Sequence, residues 1–207
     1  MRTSVAAFVA AFVAAAVLGI ASPAHAAVAG VLPATKHVVL LTGSAGDGSD
    51  WRKVRDVMAQ DGYTVTVVPA AGRDFASDVA RAREAIAAQD GPVLLAGYSG
   101  AGAVVSEAGN DSRVTGLVYI AADAPEANAA WKTKPSVYLV AGADAPLSVD
   151  AQRTYAHRAG AVLVELSGAQ PIYQSVPVTV AKVIEQGAQA GGVRQARELA
   201  EANPHRH

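Results

Sequence analysis

Short apolar runs alternate with amphipathic segments along most of this chain. The apolar runs are rich in Val, Leu and Ile and are closed by Gly, Pro or a polar residue, which is typical of buried strands. The segments between them place apolar residues three and four positions apart, which indicates helices. The pattern predicts strands at 37–42, 63–69, 92–97, 116–122, 136–142 and 161–166. It predicts helices at 51–60, 74–89, directly after Ser99, at 148–159, from about 176 to 186, and near 191–202.

This alternation of strands and helices predicts an α/β fold, with about six parallel strands and helices on both faces of the sheet. Proteins of this class bind ligands outside the carboxyl ends of the strands. The loops at that edge are therefore where we expect chemistry. They are residues 43–50, 97–101, 122–130, 142–147 and 167–175.

The first residues predict a targeting segment rather than part of the fold. A positive start at Arg2, an apolar run over 5–20 and the small-x-small ending at 24–26 are typical of a secretory signal peptide cleaved after Ala26. The apolar run is short for a membrane span. We therefore expect a secreted or extracytoplasmic protein that is free of the membrane after cleavage. The expected organisation is a signal peptide (1–26), a linker (27–36), one domain (37–203) and a tail (204–207).

Composition narrows the classes of function. The formal net charge is −1, so the chain lacks the basic footprint of a nucleic-acid-binding protein. It contains no cysteine, which excludes a thiol nucleophile and a thiolate metal site. The first loop lacks the complete dinucleotide-binding glycine pattern, and Pro69 closes the second strand where that fold carries an acid. We expect neither a metal nor a cofactor.

The third strand leads into the most specific motif of the chain. It reads Gly97-Tyr98-Ser99-Gly100-Ala101, and a helix follows at once. A strand, a turn of small residues and a helix form a nucleophile elbow, in which the central residue is presented on a strained backbone. Ala101 stands where the motif usually has glycine. Ser99 is the candidate nucleophile.

Around this motif the chain resembles the α/β-hydrolases, and in particular small bacterial esterases related to plant methylesterases and hydroxynitrile lyases. The resemblance rests on residues 38–51, 90–111, 114–125 and 134–161. It implies Asp144 as the catalytic acid. It also implies an oxyanion hole formed by the backbone N–H of Ser44 or Ala45 together with that of Gly100.

Three departures from the family pattern bear on activity. Gln170 occupies the place of the catalytic histidine in the stretch after the last strand. The first-strand loop begins Thr42-Gly43 where the family has His-Gly. The segment 124–134 is too short for the helical lid domain that the family inserts there.

The first departure predicts weak or lost hydrolase activity, because a carboxamide has no titrating nitrogen to accept the serine proton. Among the histidines, His37 and His157 are predicted to lie away from the site. Asp123, at the end of the fourth strand, is the candidate for an unconventional base, and its alternative role is to accept N–H groups of the loop. Tyr98 and Tyr173 border the predicted site, either as binding surfaces with a hydroxyl group or as packed rim residues.

Three functions remain open at this point. The first is an exported protein of esterase ancestry with a degenerate triad. The second is an active serine ester hydrolase that takes its base from Asp123, from the tail residues His205 or His207, or from the substrate. The third is a non-enzymatic module that binds a small molecule or a protein. The expected small-molecule partner is an ester or an ester-like ligand.

Overall fold

The computed structural model describes residues 35–43, 48–69, 74–123, 133–142, 147–167 and 171–202. Six strands form one parallel sheet in the order β2-β1-β3-β4-β5-β6. The strands are β1 (His37–Thr42), β2 (Thr64–Pro69), β3 (Val93–Tyr98), β4 (Val114–Ile120), β5 (Ser136–Ala141) and β6 (Val162–Leu166). This confirms the predicted fold class.

Helices follow most of the strands, and the last two helices come after β6. The helices are α1 (Arg52–Gln60), α2 (Phe75–Ala87), α3 (Gly102–Ala108), α4 (Val149–Ala159), α5 (Ile172–Ser175) and α6 (Pro177–Ala202). The 3₁₀ turns Ser49–Trp51 and Ser99–Ala101 precede α1 and α3. Local chemistry fixes two of the starts. The side chains of Asp74 and Ser148 accept backbone N–H groups from the first turns of α2 and α4. Within the described ranges, no helix has both the length and the apolar composition needed to cross a bilayer.

Each face of the sheet carries its own hydrophobic cluster, because successive side chains of a strand point to opposite faces. Val38 and Leu40 of β1 pack under α1, α5 and α6. Val39 and Leu41 pack under α2, α3 and α4. The central strands are buried on both sides, which explains their unbroken apolar runs.

The C-terminal region differs from the prediction. The sequence pattern predicted two helices, from about 176 to 186 and near 191–202, whereas α6 is continuous from Pro177 to Ala202. A Cβ added at Gly187 would lie 2.4 Å from Cγ2 of Val118. A Cβ at Gly191 would lie 2.9 Å from the backbone of Thr115. These two glycines therefore allow the helix to approach β4 closely, and they do not end it.

The strand order reverses between β1 and β3, which are neighbours in the sheet. The helix that follows β1 packs on one face, and the helix that follows β3 packs on the other. The segments leaving these strands therefore diverge and open a crevice at the carboxyl edge, as in other open α/β sheets. Ser99 follows β3 directly and lies at this edge.

Candidate functional site

Ser99 adopts the strained conformation that a nucleophile elbow requires. Its φ is 54°, in the left-handed region of backbone conformation that residues other than glycine rarely occupy. Holding such a residue costs about 1–3 kcal/mol, which the surrounding structure has to offset. In the described part of the chain, Ala121 is the one other non-glycine residue with positive φ. It follows β4, the neighbouring strand.

Glycines surround Ser99 wherever the backbone comes close. A Cβ at Gly43 would lie 2.5 Å from the nitrogen of Gly100 and 3.1 Å from the Cβ of Ser99. A Cβ at Gly97 would lie 2.4 Å from Cγ2 of Val105. At position 101, where the motif usually has glycine, the methyl group of Ala101 is buried in the fold. The substitution noted in the sequence motif therefore leaves the turn intact.

Asp123 contacts the elbow through both its backbone and its side chain. Its N–H donates to the carbonyl oxygen of Ser99 at 3.2 Å, and its Oδ1 accepts the N–H of Gly102 at 3.1 Å. Burial raises the pKa of this carboxyl, and the N–H groups of Gly102 and Ala103 oppose that rise. Of the two roles the sequence left open for Asp123, acceptance of loop N–H groups is the one visible in this geometry.

Tyr98 and Tyr173 belong to a cluster of three rings with Trp51. The rings of Trp51 and Tyr173 stack with centroids 4.2 Å apart, and the ring of Tyr98 meets both edge-on, at 5.5 and 5.1 Å. Tyr173 and Trp51 are buried, while Tyr98 is partly exposed. Burial raises the pKa of both phenols. The structure therefore brings the two tyrosines together as packed neighbours beside the nucleophile.

A shallow cleft, open to solvent, lies beside Gly100, on the opposite side of the elbow from the aromatic cluster. Its walls are mostly aliphatic, with the carboxylate of Asp78 as their charged group. The carboxylate stands 3.8 Å from the guanidinium of Arg81. The lining residues are Leu41, Thr42, Val68, Pro69, Asp78, Gly100, Ala101 and Val104.

Both histidines of the described ranges lie at the amino edge of the sheet. His37 opens β1, and its ring lies beside Gly91, just before β3. At about 3.3 Å per residue, β1 separates His37 from the elbow by about 20 Å. His157 lies near the end of α4, which begins at the carboxyl edge after β5 and ends just before β6. Neither imidazole is near Ser99.

In the sequence, the tail histidines follow α6, which, like α4, runs toward the amino edge of the sheet. By Gly191, α6 has reached the level of Thr115, close to the amino end of β4, and it continues to Ala202. His205 and His207 themselves lie outside the described residues, as do Ser44, Ala45, Asp144, Gln170 and most of the segment 124–134. Their predicted roles stay predictions. Gly100, the other expected oxyanion donor, lies in the turn directly after Ser99.

Gln152 is a residue whose importance the sequence did not indicate. It is fully buried on α4, where its Oε1 accepts the N–H of Ala141 at 2.9 Å. Its Nε2 donates to the carbonyl oxygens of Ala141 and Leu147, at 3.2 and 2.9 Å. The amide thus joins both ends of the loop that contains Asp144. A signal was present, since Gln152 shares a helical face with the buried Ala156 and Ala159.

Among the described residues, no group of three or more His, Asp or Glu side chains is arranged to hold a metal ion.

No protein-family model and no curated protein sequence matches this chain. Solved structures do. The pyrethroid hydrolase PytH is similar over 75% of this chain and 98% of its own, with 17% identity and a TM-score of 0.62. Tomato methylketone synthase I is similar over 76% of this chain and 99% of its own, with 12% identity and a TM-score of 0.63. A YdeN-like hydrolase from Pectobacterium atrosepticum covers 77% and 92%, with 14% identity and a TM-score of 0.57. Together with the sheet order and the elbow, these similarities show that the chain has the α/β-hydrolase fold.

Proposed function

We propose that this chain is an exported α/β-hydrolase-fold protein of esterase ancestry whose hydrolase activity is weak or lost. One observation carries the proposal. Ser99 is held in a nucleophile elbow, while both described histidines lie at the opposite edge of the sheet. Export is supported by the sequence of residues 1–26, which has the three regions of a signal peptide.

The chemical reason is the missing base. A serine attacks an ester when a neighbouring group takes its proton, and imidazole does this because its pKa lies near neutral pH. By the resemblance to the family, Gln170 stands in the place of that histidine. Removing that histidine from a serine triad costs roughly a million-fold in turnover. About 10³- to 10⁴-fold acceleration over water survives from the oxyanion hole and from binding.

A fluorophosphonate probe tests this directly on the chain that begins at Ala27. We expect labelling of Ser99 to be at least about 10³-fold slower than in a serine hydrolase with a complete triad. Turnover of p-nitrophenyl acetate should stay within about 10⁴-fold of the uncatalysed rate. Ser99→Ala is the control for labelling elsewhere. Rapid labelling that Ser99→Ala abolishes would establish a working hydrolase and overturn the proposal.

A non-catalytic role in ligand binding is supported by the cleft beside Gly100. Its aliphatic walls suit a short alkyl chain, and its carboxylate, Asp78, disfavours an anion. The ligand class that fits is therefore a small neutral ester rather than the free acid.

Ethyl butyrate and butyrate are the probes for this role. We expect ethyl butyrate, and not butyrate, to shift the amide resonance of Gly100. Val104→Trp, which fills the cleft, should abolish the shift. Val178→Trp, at a position 56% exposed on α6, is the matched control and should leave it unchanged. No shift up to the solubility limit of the ester would exclude this ligand class.

A further inference from the structure

Two strained residues stand side by side at the active edge. Ser99 (φ 54°) follows β3 and Ala121 (φ 44°) follows β4, and these strands are neighbours in the sheet. A left-handed residue without glycine persists when its surroundings hold it there. The contacts between the two segments should therefore include the groups that hold them.

Those contacts converge on Asp123. Its N–H donates to the carbonyl oxygen of Ser99, the strained residue itself, at 3.2 Å. Its Oδ1 accepts the N–H of Gly102, the first residue of α3, at 3.1 Å. The approach is so close that a Cβ at Gly102 would lie 1.4 Å from the carbonyl oxygen of Asp123. Asp123 thus binds the elbow at the residue that carries the nucleophile and at the start of the helix behind it.

A buried chain of contacts ties Asp123 to Gly102 by a second route. The hydroxyl of Tyr138 donates to the carbonyl oxygen of Ala122, the residue before Asp123. The ring of Tyr138 stacks on that of Tyr119, with centroids 5.9 Å apart. The Tyr119 hydroxyl lies 3.0 Å from Oγ of Ser106.

Ser106 links these contacts back to Gly102. The hydroxyl of Ser106 donates to the carbonyl oxygen of Gly102 at 3.0 Å. Gly102 is therefore held at its N–H by Asp123 and at its carbonyl by Ser106. These hydrogen bonds and the ring contact, most of them buried, restrict the backbone that they join.

From this geometry we propose that Asp123 is a positioning residue, which holds the Ser99 elbow in shape. No hydrogen bond joins the Asp123 carboxylate to the Ser99 hydroxyl, and the carboxylate is already bonded to a backbone N–H of α3. The proposal concerns the architecture of the site, so it holds or fails whether or not Ser99 turns over an ester.

The test compares Asp123→Asn with Asp123→Ala by nuclear magnetic resonance. A carboxamide oxygen accepts an N–H as a carboxylate does, and alanine does not. In the native protein, the amide resonance of Gly102 should titrate with the Asp123 carboxyl, at a midpoint above the ordinary value of 3.8. In Asp123→Asn the titration should vanish, while the hydrogen-exchange protection of Gly102 stays within about twofold. In Asp123→Ala, protection should fall by at least about tenfold, and the backbone resonances of Ser99 should shift.

Asp111 provides the matched control. Its Oδ1 also accepts a backbone N–H, that of Arg113 at 2.8 Å, but in a turn remote from the elbow. Asp111→Ala should leave the signals of Gly102 and Ser99 unchanged. The proposal is overturned if Asp123→Asn loses protection as Asp123→Ala does, or if the Gly102 amide of the native protein does not titrate. It is also overturned if Asp123→Ala leaves Gly102 and Ser99 unaffected.

Discussion

Gly43 follows β1 and Ser99 follows β3, and the two segments approach so closely that a side chain at position 43 does not fit between them. A Cβ at Gly43 would lie 3.1 Å from the Cβ of Ser99 and 2.5 Å from the nitrogen of Gly100. The closest atoms, the nitrogen of Gly100 and the carbonyl oxygen of Tyr98, both at 2.5 Å, belong to the backbone, which cannot rotate away as a flexible side chain can. The glycine after β1 is therefore part of the elbow, although about 55 residues separate the two along the chain.

Gly43→Ala should accordingly destabilise the protein by about 1–3 kcal/mol through overpacking. Gly100→Ala is the matched control, since its Cβ would meet only the carbonyl oxygen of Gly43, at an ordinary 3.7 Å. It should change the free energy of unfolding by less than about 1 kcal/mol. Urea unfolding of both variants measures the difference. Equal effects at the two positions would contradict the close packing described for Gly43.

Gln152 should be sensitive to substitution because its amide satisfies three backbone groups at the ends of the Asp144 loop. Gln152→Leu keeps the size of the side chain but leaves these buried groups unpaired, at a cost of about 1–3 kcal/mol for each group that water cannot reach. Gln60→Leu, at an exposed position that ends α1, is the control and should be close to neutral. A change at Gln152 no larger than at Gln60 would show that the loop is not anchored there.

Gly187→Ala should destabilise the protein, although helix propensity alone would predict that it stabilises α6. In a helix interior, Gly→Ala normally gains about 1 kcal/mol. Here the new Cβ would lie 2.4 Å from Cγ2 of Val118, so the substitution should lower the melting temperature. In a Val118→Ala background, Gly187→Ala should cost less than it does in the parent chain, because the clashing methyl groups are gone. Stabilisation by Gly187→Ala alone would mean that α6 does not pack against β4 as described.

Alkaline pH should destabilise the fold through its tyrosines. Burial raises the pKa of Tyr98, Tyr119, Tyr138 and Tyr173 above the ordinary value of 10. A raised folded-state pKa means that the unfolded chain loses these protons first, so stability is full below pH 10 and falls as the pH rises above it. Unfolding monitored between pH 8 and about 12 should show this decline. A free energy that stays constant across the range would contradict the burial of these phenols.

The sheet was predictable from the sequence because six apolar runs alternate with amphipathic segments. The spacing of apolar residues shows which positions are buried, and therefore which segments are strands and which are helices. The elbow was predictable because its motif is local. The roles of Gly43 and Gln152 were not, since both depend on backbone contacts that form only in the fold. For Asp123 the sequence left two roles open, and the structure shows that its carboxylate accepts the N–H of Gly102. The continuity of α6 was not predicted either, because it depends on the packing of Gly187 and Gly191 against β4, which lies far away along the chain. Glycine usually interrupts a helix, but here it fits the approach to β4.

The central claim is that Ser99 is correctly presented and lacks only an imidazole to activate it. Gln170→His supplies that group at the position that the family resemblance assigns to it. Its turnover of p-nitrophenyl acetate should exceed that of the parent chain by at least about tenfold. The gain should depend on a group with an apparent pKa near 6.5 and should disappear in the double variant with Ser99→Ala. An unchanged rate, or a gain that survives Ser99→Ala, would contradict the claim.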